Sequence, residues 1–576
     1  MPQGFLQILL FFAIMVALVP VMGGYMARVF SGETVLLTRV VGPLERLIYK
    51  LLRVRPAEDD QGWKAYAGSL ILFSAAGWLL LYLILRTQTI HPWNPGDFHS
   101  GTWDLSFSTA SSFVTNTNWQ YYGGETTLSY FSQMSGLAVQ NFLSAAVGIA
   151  VAVALIRGIV ARKTGGGLGS FWVDITRATL YVLLPIAFLG ALVLVSQGVL
   201  QTLGAGNDLF AVGPVGSQEA IKLLGTNGGG FFNVNSAMPF ENPTGFTDMF
   251  ELGLILLIPM SLPYTFGKMV GNRRQGWAIF AAMAAMLIVS VTVVYLAEQH
   301  GTPAQHMAGV STRAFDGSTG GNMEGSEQRF GIAGTSLFTA VTTATSTGAV
   351  NSALESLSGI GGLVPMANLS ASETIFGGVG TGLYSMLMFA LLAVFIGGLM
   401  VGRTPELLGK KIEAREIKLV VLATLVTPLA ALVSTALAVG TKYGKPSVYA
   451  EGPQGFSESI YAYLSQANNN GSAFAGYTGY YQPEAGNLGA HGITFADLLG
   501  GITMLGARFL PILFVLAIAG SLAKKRVAPA GLGTMRTDTP TFVFLLIGVV
   551  VLIGALTFFP ALLLGPVVQG LTTRLF

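Results

Sequence analysis

No cysteine occurs in the 576 residues, which excludes disulfides, thiolate metal sites and cysteine nucleophiles. Charge is scarce as well: Asp, Glu, Lys and Arg make up 10% of the chain, against roughly 25% in a soluble domain. The net charge of +3 offers no basic footprint for nucleic acid, so the basic residues have to be read by position. Only five histidines are present, in polar connecting stretches or, for His491, just ahead of an apolar run. An intramembrane enzyme would therefore lack both a nucleophile-base pair and a metal pair. There is no Walker A pattern and no DKTG phosphorylation motif; Lys163-Thr164-Gly165 lacks the preceding aspartate. A chain without a nucleotide site that moves something uphill must draw its energy from elsewhere.

What is abundant is apolar: 52% of the residues are hydrophobic and 74 are glycine. Runs long enough to cross a bilayer, about 20 residues each, fall at 4–27, 65–86, 128–156, 172–198, 248–270, 277–297, 375–401, 416–440, 494–523 and 540–565. The fold class predicted is an all-α polytopic membrane protein with about ten spans. The first run has no basic residues ahead of it, and Arg28, Arg39, Arg46, Lys50, Arg53 and Arg55 follow it. It reads as a retained helix rather than a signal peptide. The third, fifth, seventh and ninth runs end in Arg157 to Lys163, Lys268 to Arg274, Arg403 to Lys411 and Lys524 to Arg526, which places those ends in the cytoplasm and both termini outside. Arg403, Lys410 and Lys411 read as topology anchors.

Between the two spans of each pair in the middle eight lies a short helix-like segment and then a strand of small polar residues. The four copies are Trp103 to Asn118, Ser217 to Gly229, Phe330 to Gly348 and Phe456 to Gly471. Aligned on their last residues, they recur at intervals of 111, 119 and 123 residues. One copy alone would be a capped interfacial helix and a turn; four in register argue for a repeated span, short helix, strand, span unit. The implied division is 1–61 (first helix and cytoplasmic loop), 62–163, 164–274, 275–411 and 412–526 (four pore repeats), and 527–576 (last helix).

A helix of about 11 residues is about 16 Å long, half the hydrocarbon thickness, so the short helices must be re-entrant. Asp104, Glu219 and Glu458, and Ser326 and Glu327 ahead of the third helix, suit N-termini that face outward. The C-terminal ends, partially negative, would then converge on the strands and favour a cation. The strands are Thr115, Asn116, Thr117 and Asn118; Thr226, Asn227, Gly228 and Gly229; Thr345, Ser346, Thr347 and Gly348; and Asn468, Asn469, Asn470 and Gly471. Their backbone carbonyls and Thr, Ser or Asn oxygens could replace a hydration shell, and an uncharged oxygen ring suits a monovalent cation better than Ca²⁺ or Mg²⁺. Gln120 either supports the filter from behind or faces the outer vestibule.

SFVTNTNWQYYGGETTLSYFSQM, SQEAIKLLGTNGGGFFNVNS, FENPT, NMEGSEQRFG, FGGVGTGLY, GRTPELLGKKI, SQANNNGSAFAG and ALTFFPALLLGP together resemble the potassium-transporting ATPase A chain family, KdpA, over nearly the whole length. The resemblance implies a K⁺-binding, K⁺-translocating subunit with a pseudo-fourfold pore and no organic cofactor. It also implies a P-type ATPase partner of the KdpB type, KdpC-type and small KdpF-type subunits, membrane lipids around them and a bacterial inner-membrane location. Relatives often carry cysteine where Thr347 stands, and the first strand ends in Asn118 where the others end in glycine. The filter implied is not fourfold symmetric, with Gly230 as a further support beside it.

Arg508 falls in the middle of the ninth run, where a bare charge costs at least about 3 kcal/mol. Glu373, opening the seventh run, is the expected partner, either as a structural pair or at a gate beneath the filter. The Gly377 to Gly382 stretch contains Gly378 and Gly380 in a GxGxG pattern, but no strand precedes it, so it predicts a broken helix or close packing rather than a dinucleotide site. In relatives this helix is discontinuous and forms a gating loop. A stand-alone potassium channel or cation-coupled symporter of the same architecture remains the alternative. Gly229→Asp is expected to weaken K⁺ discrimination.

Overall fold

A computed structural model describes residues 2–56, 58–161, 167–206, 211–315, 319–400, 402–478, 490–528 and 535–571. Lys163 to Gly165 and the side chain of His491 lie outside the described residues. Among the described residues ten helices are long and apolar enough to cross a membrane, as hydrocarbon requires of segments that must satisfy their own backbone. The chain opens with α1 (Pro2–Ser31) and the amphipathic α2 (Thr38–Leu52). The first repeat is α3 (Trp63–Arg86), the short α4 (Trp103–Val114) and α5 (Val139–Val160), entered through a π-helical turn at Ser132–Ala138.

In the second repeat α6 (Phe171–Arg177) and α7 (Leu184–Ser196) make one span, followed by the short α8 (Val215–Leu224) and by α9 (Gly245–Met269). The third has α10 (Arg273–His300), one turn at α11 (Pro303–Met307), the short α12 (Gly331–Ala344), then α13 (Gly359–Ser370) and α14 (Thr381–Met400). The fourth has α15 (Ala414–Gly440), the short α16 (Gly452–Ala467) and α17 (Ala490–Ala523), and α18 (Pro540–Leu562) closes the chain.

Helices α1 and α18 lie on the outside. Leu9, Leu10, Phe544 and Leu556 on them are exposed, as lipid-facing residues are, and α1 packs along α9 while α18 packs on α10 and α14. The outgoing span of the first repeat is the opposite case: 83% of its apolar stretch is buried, against 28% for the first and last spans. Burial therefore sorts the spans into an inner and an outer layer. The seventh span starts later than its hydropathy suggests, because Ala371 to Gly380 is not helical. Ser372, Glu373, Phe376, Gly377 and Gly380 there have positive φ, and a Cβ on Gly380 would lie 2.0 Å from the Gly148 carbonyl oxygen of α5. Glycine is required for that approach.

The short helices begin differently from the expectation. Asp104 does sit in the first turn of α4, accepting the Leu105 N–H (3.1 Å) and the Thr494 hydroxyl of α17 (2.7 Å). Helix α8 starts at Val215, two residues before the amphipathic pattern, so Glu219 is one turn in and pairs with Lys222 at 2.7 Å. Likewise α16 starts at Gly452, which moves Glu458 off the N-terminus. Lys410 is more than a topology anchor. It is buried on a two-stranded hairpin (Glu406–Leu407 with Lys410–Lys411), and its ammonium donates to the carbonyls of Ala161, Leu522 and Lys525 at the ends of α5 and α17. A cation there complements the helix C-termini.

Glu458 is held well above the usual carboxylate range, first because it is buried and then because the Glu355 carboxylate lies beside it. The folded protein thus keeps a proton that the unfolded chain releases, and stability contributed by this contact is lost as pH rises from the ordinary carboxylate pKa to the raised one. The thermal midpoint of the purified protein is expected to fall as pH rises from 4.5 to about 8, and Glu458→Gln to flatten that slope; a slope unchanged in the variant would count against this pairing.

Candidate ion filter

Each short helix stops at a matched place. The residue after the last helical one is Thr115 for α4, Gly225 for α8, Thr345 for α12 and Asn468 for α16. Each following strand then has two positive-φ residues separated by one: Asn116 and Asn118, Thr226 and Gly228, Ser346 and Gly348, Asn469 and Gly471. Reversing the backbone hand at every second residue turns successive carbonyls to one side, where an ordinary extended strand would alternate them. Non-glycine residues at positive φ cost about 1–3 kcal/mol each and persist only where the surroundings enforce them.

This register corrects the sequence alignment by one residue. The second strand is Gly225-Thr226-Asn227-Gly228, so Gly228, not Gly229, matches Asn118, Gly348 and Gly471. Backbone hydrogen bonds repeat the pattern: Thr117, Asn227, Thr347 and Asn470 donate to the carbonyls of Ser112 (2.9 Å), Lys222 (2.7 Å), Thr342 (3.0 Å) and Ser465 (2.9 Å), always five residues back. Three glycines then lock the strands into a ring. A Cβ on Gly228 would lie 1.9 Å from the Thr347 carbonyl oxygen, one on Gly348 2.0 Å from that of Asn470, and one on Gly471 2.0 Å from that of Thr117. The remaining joint is made by side chains, since the Asn116 amide donates to the carbonyls of Gly225 (3.3 Å) and Thr226 (2.8 Å).

Most side-chain oxygens and amides of the strands are spent on holding the ring. Asn116 Oδ1 accepts from Ser144 (2.8 Å) and from Asn227 Nδ2 (2.6 Å). Asn469 Nδ2 donates to Thr117 Oγ1 (2.9 Å) and Asn470 Nδ2 to the Thr342 carbonyl (2.9 Å). Thr347 and Thr345 share a hydroxyl hydrogen bond (2.7 Å), as Thr117 and Thr115 do (2.8 Å). Side-chain oxygens of Asn118, Asn227, Ser346 and Asn468 are left without a partner among the described residues, whereas Thr347 has a structural one in Thr345. Gln120 lies against the second strand: its amide donates to the Gly230 carbonyl (3.1 Å) and accepts the Gly230 N–H (3.2 Å). Gly229 faces the Asn118 side chain and the Phe113 ring.

Beneath the strands the broken seventh span comes close. Val379 donates its N–H to Thr226 Oγ1 (3.0 Å), and a Cβ on Gly378 would sit 3.5 Å from Thr226 Oγ1, 3.6 Å from Glu373 Oε2 and 3.7 Å from Thr381 Oγ1. Arg508 and Glu373 make no direct ion pair. Arg508 Nη1 instead donates to Thr381 Oγ1 at 2.7 Å. The sequence could not show this, because Thr381 is brought between the two only by the break in the helix. All three line a cavity of about 40 Å³ together with Tyr384, Asn468 and Asn469. Sequence reading also passed over Lys222, an ammonium with no exposed surface behind the second strand; a lysine between Ile221 and Leu223 in a re-entrant helix was the available signal.

Four span, re-entrant helix, strand, span repeats closing on a central ring make this a multi-pass membrane transporter fold. The crystal structure of the potassium transporter TrkH from Vibrio parahaemolyticus shares it, with a TM-score of 0.51 at 13% identity over 78% of this chain and 84% of that one. The chain belongs to the potassium-transporting ATPase A subunit family, KdpA, whose model matches residues 9–571. Relatives named potassium-transporting ATPase potassium-binding subunit are similar over their full length. That of Sorangium cellulosum is 51% identical over 99% of both chains. That of Rhizobium rhizogenes is 52% identical over 99% of this chain and 98% of its own, and that of Methylorubrum extorquens 53% over 98% and 97%.

Proposed function

We propose that this chain selects K⁺ from the outer face of the bacterial plasma membrane with a four-strand carbonyl filter, and passes it to a P-type ATPase partner that supplies the energy. The observation that carries the reading is the interlocked ring, in which the backbone hand alternates in all four strands, an arrangement that suits carbonyls turned to one side to replace a hydration shell. The names of the relatives supply the ion and the ATPase. The partners are a KdpB-type catalytic subunit and KdpC-type and KdpF-type subunits, with both termini of this chain outside.

Below the filter the Arg508 guanidinium stands beside a cavity about one water wide, where it hinders a monovalent cation from running straight to the cytoplasm. Glu373, Gly378 and Gly380 belong to the loop that closes the same passage. The ion therefore leaves sideways to the partner.

Copurification of the tagged chain with its membrane partners, followed by K⁺-stimulated ATP hydrolysis, tests the reading. K⁺ is expected to stimulate hydrolysis at far lower concentration than Na⁺. Robust K⁺ uptake by vesicles holding this chain alone would overturn it in favour of a channel or symporter.

A further inference from the structure

The residue that accepts the strand's hydrogen bond five positions on has a second task in each repeat. In the first, Ser112 Oγ donates to the Trp119 carbonyl (3.2 Å); in the third, Thr342 Oγ1 donates to that of Ala349 (2.6 Å). In the fourth, Ser465 Oγ accepts the Gly471 N–H (3.0 Å). A hydroxyl thus pins the outer end of three strands from behind. The matching residue of the second repeat is Lys222, which carries no hydroxyl.

The second strand is also the one with the least side chain to hold it, since Gly228, Gly229 and Gly230 follow one another. Lys222 Nζ makes ion pairs with Glu219 (2.7 Å) and Glu241 (2.8 Å) and donates to Asn235 Oδ1 (3.2 Å). Glu241 Oε1 accepts the Phe232 N–H (2.7 Å), just past the glycines, and Asn235 Nδ2 donates to Gln120 Oε1 (3.0 Å), which in turn grips Gly230. A Cβ on Gly230 would come within 2.7 Å of the ammonium and 2.8 Å of both Glu241 oxygens. Glycine at that place lets the charged group lie against the backbone. Lys222 and both its carboxylates are fully buried, so water cannot substitute for any of these bonds.

We infer that Lys222, acting through Glu241, is a positioning residue that holds the second filter strand in register and thereby sets the ion preference of the ring. The ammonium does from a distance, through the loop of residues 230–241, what a hydroxyl does by direct contact in the other three repeats. This rests on the filter reading above.

The test uses the intact complex in vesicles, with Lys222→Met and Glu241→Gln. The concentrations of K⁺ and of Rb⁺ that half-stimulate ATP hydrolysis are measured on one preparation, so loss of folded protein cancels from their ratio. Glu241→Gln keeps an acceptor for the Phe232 N–H and removes only the charge pairing. Each variant is expected to raise the half-stimulating K⁺ concentration by about tenfold or more and to bring the Rb⁺ to K⁺ ratio toward one, while maximal turnover changes far less. An assembled variant with wild-type half-stimulation and ratio overturns the inference, and so does failure of both variants to assemble, which would make the cluster a folding element. A wild-type complex stimulated equally well by K⁺ and Na⁺ would defeat the filter reading itself.

Discussion

Gly228→Ala is expected to cost the protein its K⁺ affinity by about a hundredfold or more, because the new Cβ has nowhere to go. It would meet the Thr347 carbonyl oxygen at 1.9 Å and the Ala349 nitrogen at 2.5 Å, both backbone atoms of the neighbouring strand, at a φ of +89°. The left-handed backbone alone costs alanine about 1–2 kcal/mol, and the contact can be relieved only by opening the ring. Gly229→Ala is the informative comparison. That Cβ meets Asn118 Cβ at 2.8 Å and the Phe113 ring at 3.0 Å, tight contacts but longer than the 1.9 Å at Gly228 and without a left-handed backbone, so a smaller loss than at Gly228 is expected. Gly229→Asp adds a carboxylate there and should weaken K⁺ over Na⁺ discrimination more than alanine does. Half-stimulating K⁺ and Na⁺ concentrations for ATP hydrolysis by the complex report all three, and a larger effect at Gly229→Ala than at Gly228→Ala would reject the register.

The largest stability effect is expected at Arg157. Its guanidinium meets Asp174 with two bonds (2.6 and 2.8 Å) and donates to the carbonyls of Leu168 (3.1 Å) and Phe30 (3.2 Å), joining α1, α5 and α6. Asp174 has no exposed side-chain surface and, among the described residues, otherwise accepts only from the Tyr66 hydroxyl (2.9 Å). Arg157→Met strands that carboxylate, at a cost of about 3–5 kcal/mol. Adding Asp174→Asn removes the stranded charge and should recover much of the loss. Thermal midpoints of the detergent-solubilised protein decide it; a single variant as stable as the parent would show that the pair contributes little.

Much of this was legible in residue order. The apolar runs named the ten spans because length and polarity are local properties that the bilayer reads directly, and the four polar strands announced themselves by recurrence. The one-residue slip in the second strand arose because Gly225 and Thr226 look equally able to begin a filter. The end of α8, the positive-φ pattern and the hydrogen bond five residues back together show that Gly225 corresponds to Thr115, Thr345 and Asn468. The Glu373 to Arg508 pairing is indirect for a similar reason: opposite charges in two spans suggest a contact and do act on each other, but the break at Ala371 to Gly380 sets Thr381 between them. Lys222 was visible as a letter, yet its partner Glu241 lies 19 residues on, across a strand and a loop.

Residue order by itself determined that the chain crosses the membrane, that it repeats itself four times, and that it has no thiol chemistry. Tertiary structure decided how the four strands lock together. The hydrogen bonds of Asn116 and Asn469 to neighbouring strands, and the glycine contacts that close the ring, join strands more than 100 residues apart. No local pattern encodes such contacts; they exist only once the four repeats have packed.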